Sequence, residues 1–108
     1  MKWIKKIIDV FPYTVICLWN DDLIRTTDLT EFLMEKSKNP KNSYAQLLEK
    51  ARFMEVQCDG TTIFWDAGIK IFDIDNTPKP APLDIDPDVL FRMSTLNPEY
   101  LTKVEYSR

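Results

Sequence analysis

The sequence predicts an α+β protein, with an antiparallel sheet of about five or six strands in two meanders and two or three short helices packed mainly on one face. Three observations predict it. β-branched and aromatic runs are cut by turn residues at short intervals, which is the spacing of antiparallel hairpins. Between the two groups of runs lie segments with helical apolar spacing and capping residues at their starts. Both glycines, Gly60 and Gly68, fall within 59–73, around a β-favouring run, where positive φ is reached without a Cβ clash.

In chain order, residues 3–11 give a first strand with Ile4, Ile8 and Val10 on one face, a face that Lys6 interrupts. Pro12 stops it. Residues 13–19 are β-branched and aromatic with apolar side chains on both faces, the pattern of a central strand. Asn20-Asp21-Asp22 turns, because short polar side chains tolerate left-handed backbone, and 23–27 returns antiparallel. Asp28 and Glu31 then read as a capping box in front of Leu29, Phe32 and Leu33. After a polar break over 36–42, Ser43 and Gln46 form a second box, and Tyr44, Leu47, Leu48 and Ala51 make an apolar stripe.

The second meander is expected as strands over 52–58, 61–65 and 69–74, turning at Asp59-Gly60 and at Asp66-Ala67-Gly68. Residues 76–82 hold Pro78, Pro80 and Pro82, so they form a loop or an edge excursion rather than an interior strand. Asp86-Pro87-Asp88 starts a third helix: Asp86 caps it, Pro87 occupies a position whose missing N–H is no loss, and Ile85 staples onto Leu90. Asn97-Pro98 ends that helix. The expected domain is 1–96, with 97–108 a tail that is either an added edge strand or frayed.

The totals narrow the function classes. A chain of 108 residues can build one modest core without metal or disulfide staples. No apolar run approaches the ~20 residues of a membrane helix. Lys2, Lys5 and Lys6 interleave with apolar residues and no small-residue cleavage site follows, so no signal peptide and a cytoplasmic location are expected. Residues 1–54 carry nine Lys/Arg against seven Asp/Glu, and 55–108 carry five against ten. Within the net charge of −3, the cations Lys36, Lys38, Lys41, Lys50 and Arg52 read as a solvated face, and nucleic acid is not the expected partner.

The absence of histidine removes Ser-His and Cys-His nucleophile pairs and most zinc sites. Cys17 and Cys58 read as free thiols of a reducing compartment. The acids from Asp84 to Asp88 alternate as in a calcium loop, but the positions that need glycine and glutamate hold Val89 and Thr95, so capping is the reading. No cofactor and no metal is expected. Trp3, Trp19 and Trp65 supply core area, and Trp65, beside a turn, is the one able to stay partly exposed as a partner anchor with Asp66 and Gly68.

The order of meander, Thr27-Asp28-Leu29, two helices, Asp59-Gly60, the run from Ile63 to Gly68 with Trp65-Asp66-Ala67-Gly68 at its end, and the run from Leu83 to Phe91 with Asp86-Pro87 resembles the bacterial family called domain of unknown function 2442 over roughly 8–91. Two features depart from the family pattern: Asn20-Asp21-Asp22 stands where Asp-Gly is usual, and residues 69–82 intervene before the aspartate–proline helix. The resemblance implies a small α+β protein with no established enzyme activity, antitoxin-like or regulatory, some family members resembling partners of a small putative toxin encoded beside them.

The resulting expectation is a non-catalytic cytoplasmic interaction module that binds a partner protein or a second copy of itself. A small ligand-binding or enzymatic domain using Trp65, Asp66 and Asp73 is the second reading, and a nucleic-acid-binding regulator the third.

Overall fold

The computed structural model describes residues 1–72, 75 and 77–99. Along the chain lie β1 (Ile4–Phe11), β2 (Thr14–Trp19), β3 (Ile24–Asp28), α1 (Thr30–Lys36), a 3-10 helix (Ser43–Leu48), α2 (Lys50–Phe53), β4 (Gln57–Cys58), β5 (Ile63–Trp65), β6 (Lys70–Phe72), β7 (Pro78–Pro80), β8 (Leu83–Asp84), α3 (Pro87–Met93) and β9 (Ser94–Leu96). The α+β class and the antiparallel pairing are those the sequence predicts. The strands are shared among sheets of four (β1-β2-β3-β9), three (β4-β5-β8) and two (β6-β7).

β2 is central, as its two apolar faces require, and pairs with β3 without interruption from Thr14↔Asp28 to Leu18↔Ile24. Its pairing with β1 slips between Ile4 and Lys6 and again between Ile7 and Asp9. Each slip inserts an extra residue, which restarts the alternation of side chains. The inward set is therefore Ile4, Ile7 and Val10, opposite Trp19, Cys17 and Val15, in place of the expected Ile4, Ile8 and Val10. Asp22 takes the left-handed backbone (φ 66°) that the Asn20-Asp21-Asp22 turn needs.

The two helices between the strand groups differ from expectation. Asn42, not Ser43, caps the 3-10 helix by accepting from Tyr44 N (2.9 Å). Glu49 then returns to extended backbone, splitting the expected stripe. Tyr44 and Leu47 stack at the three-residue repeat and Leu47 is fully buried, whereas Ala51 is exposed. Residues 50–53 are helical, so the strand expected over 52–58 is reduced to Gln57–Cys58. Phe53 explains this: its buried ring packs edge-on against Tyr13 (5.5 Å) and beside Trp65 (5.6 Å).

The Asp59-Gly60 hairpin forms, with Gly60 at φ 87° and the Asp59 carboxylate accepting from Thr61 N and Thr62 N (2.9 Å each). The Asp66-Ala67-Gly68 turn does not make a hairpin. The place beside β5 is taken by β8, through Phe64↔Asp84 and Trp65↔Leu83. Ile69 enters the core, and β6 and β7 leave it as a ribbon whose side chains are exposed. Ala81 N donates to Ile69 O (3.2 Å) on the inner side of this ribbon. Alternation then turns the nitrogens of Pro78 and Pro80 outward, where no donor is missed. Asp73 and Ile74, the end of the expected third strand, lie outside the described residues, as do 100–108 of the expected tail.

α3 starts as expected, with Asp86 accepting from Asp88 N (2.8 Å) and Ile85 and Leu90 both buried. It ends at Met93 instead of Asn97. Ser94 Oγ donates to the Phe91 carbonyl (2.6 Å), and Ser94–Leu96 becomes an edge strand on β3. One core joins these parts: Val15, Cys17 and Trp19 from the large sheet meet Leu29, Leu33, Leu47 and Phe53 from the helical region and Ile63, Trp65, Leu83 and Leu90 from the second half. Each large apolar side chain so buried contributes about 1.5–3 kcal/mol. Cys17 and Cys58 are free thiols, and burial, with Cys58 nearby, pushes the Cys17 thiol up to about 12.

Candidate functional site

The large sheet and two helices meet at a notch. β3 ends at Asp28, whose Oδ1 accepts from both Thr30 Oγ1 (2.7 Å) and Thr30 N (2.9 Å), bending the chain into α1. Those two bonds, the hydroxyl first, hold the Asp28 carboxyl below its usual range. Glu31 and Phe32 follow in the first turn of α1. On the other side, the pairing Thr27↔Ser94 brings the end of α3 alongside, so that Met93 stands opposite Asp28. Asp28, Glu31, Phe32 and Met93 line a cavity of about 380 Å³. That volume falls within the range of about 300–1,000 Å³ in which proteins hold small molecules or anchoring side chains.

Asp21 pairs with Lys2, Asp22 with Lys5, Glu35 with Lys38 and Glu49 with Arg52. Among the described residues, neither Asp28 nor Glu31 has a cationic partner. Among them, too, the second carboxylate oxygen of Asp28 accepts no bond, and Glu31 does not reach back to complete the expected capping box; Leu29 occupies the cap position. The wall beside these acids is apolar. Phe32 packs edge-on against Tyr44 (5.2 Å), and the ammonium of Lys36, one helical turn on, lies 5.4 Å from its ring centroid. Two carboxylates with no ion pair among the described residues, set against an aromatic ring and a thioether, make a surface able to take a cation with an apolar stem.

The residues singled out from sequence lie elsewhere. Trp65 is fully buried, and its Nε1 donates to the Phe53 carbonyl (2.9 Å), so the expected partial exposure is corrected. The physical reason is alternation along β5, which sends Ile63 and Trp65 inward. Asp66 is exposed and accepts from Gln57 Nε2 (2.8 Å). Gly68, at φ 70°, lines a shallower depression of about 190 Å³ with Glu49, Ala51, Arg52, Glu55 and Ala67. Trp65 and Asp66 therefore share no cleft, and Asp73 lies outside the described residues.

Of the basic residues, Lys38 and Arg52 are ion-paired and Lys36 sits over Phe32. Among the described residues no group of three or more His, Cys, Asp or Glu could hold a metal ion. None of their helices is long and apolar enough to cross a membrane.

Sequence reasoning named Asp28 and Glu31, but as caps. The available signal was an acid pair at a helix start followed directly by an aromatic. Met93 carried no signal, because only the pairing of β3 with β9 brings it to the site.

No protein-family model matches this chain, and no curated protein and no solved structure matches it.

Proposed function

We propose that this chain is a non-catalytic cytoplasmic interaction module, antitoxin-like or regulatory in role, that docks a basic segment of a partner protein in the notch between α1 and α3. One observation carries the reading. A cavity of about 380 Å³ sets two carboxylates that lack a cationic partner among the described residues beside the Phe32 ring and the Met93 thioether. A basic side chain supplies the missing charge, and Phe32 and Met93 receive its methylene stem. The net charge of −3 draws such a partner in at longer range.

The test is a titration with a blocked four-residue peptide of alternating arginine and lysine at about 0.15 M salt, where charges beyond ~8 Å are screened. Saturable shifts of the Met93 methyl and Phe32 ring signals are expected. The double substitution Asp28→Asn/Glu31→Gln should weaken binding at least about tenfold, or about 1.4 kcal/mol. The amide put in place of the Asp28 carboxylate keeps the oxygen that Thr30 needs, so the fold is preserved. Undiminished binding to the double variant, or shifts spread over every acidic turn, would overturn the reading.

A further inference from the structure

No further inference is drawn: the strongest candidate, the face of the β1-β2-β3-β9 sheet turned away from the core, where Ile16 and Ile24 are buried apart from the core cluster, carries nothing because nothing in the described residues shows what covers it.

Discussion

The two halves of the chain hold their backbones by different means. In the first, β1, β2 and β3 are eight, six and five residues long and satisfy one another along extended ladders. In the second, no strand from β4 to β9 exceeds three residues among those described, and side chains take over part of the ladder's role. Gln46 both accepts from Lys70 N (3.0 Å) and donates to its carbonyl (2.6 Å), as a neighbouring strand would. Tyr44 donates to the Asp84 carbonyl (2.6 Å), Thr62 to that of Ile85, and Trp65 to that of Phe53 (2.9 Å). A ladder spreads its register over many residues, whereas a side-chain clasp concentrates it in one. Single polar substitutions should therefore be absorbed in the first half and felt in the second.

The two buried tryptophans test this most sharply. Both are fully buried, Trp19 in the ladder region and Trp65 in the clasped region. Trp19 Nε1 has no hydrogen-bond partner among the described residues, while Trp65 Nε1 has the Phe53 carbonyl. Replacement by phenylalanine removes similar area from each. Trp19→Phe also removes an unsatisfied donor, but Trp65→Phe removes one of the two bonds to the Phe53 carbonyl, which still accepts from Val56 N (3.2 Å), a loss of about 0.5–1.5 kcal/mol. Urea unfolding at constant m-value should place the Trp65→Phe midpoint below that of Trp19→Phe. Equal midpoints would mean that the clasp contributes nothing.

The same division decides what was legible in the sequence. Strands of the first half announce themselves by alternation and β-branching, and only the bulges that swap Ile8 for Ile7 escape a rule that assumes strict period two. Caps with local chemistry, such as Asp86-Pro87 and Asp59-Gly60, are also readable because their partners lie within three residues. The clasps are not. Gln46 reads as a capping residue until Lys70 arrives from far along the chain, and Phe53 reads as strand until Tyr13 and Trp65 hold it in a helical turn. The notch between α1 and α3 combines both kinds, with Asp28 and Glu31 visible in the helix start and Met93 delivered by a sheet pairing that no local pattern encodes.

A smaller effect is expected at Gln46. Its two bonds to Lys70 are solvent-exposed, so Gln46→Ala should cost only about 1 kcal/mol. The loss should be local: amide exchange at Lys70 speeds up while the amides of β2 keep their protection. Gln46→Glu sharpens the point, since a carboxylate still accepts from Lys70 N but cannot donate to its carbonyl. It should fall between wild type and alanine. Equal acceleration in β2 would mean that the ribbon and the large sheet open as one unit.

The smallest effect separates the regions by acid. Asp28 closes the ladder region and Asp59 the first clasped turn, and hydrogen bonds lower the pKa of both: the Thr30 hydroxyl and then its N–H at Asp28, Thr62 N and then Thr61 N at Asp59. A carboxyl depressed on folding stabilises the native state above its unfolded value of about 3.9 and loses that contribution as pH falls through the folded value. Stability should therefore decline below about pH 4 from both sites. Asp28→Asn or Asp59→Asn should flatten the decline, by giving up at neutral pH the small part that the wild type loses in acid. Thr30→Ala removes only the hydroxyl donor. It should raise the Asp28 midpoint in a carboxyl NMR titration and leave Asp59 where it was, because the two turns share no partner. Movement of both midpoints would show that the regions titrate as one.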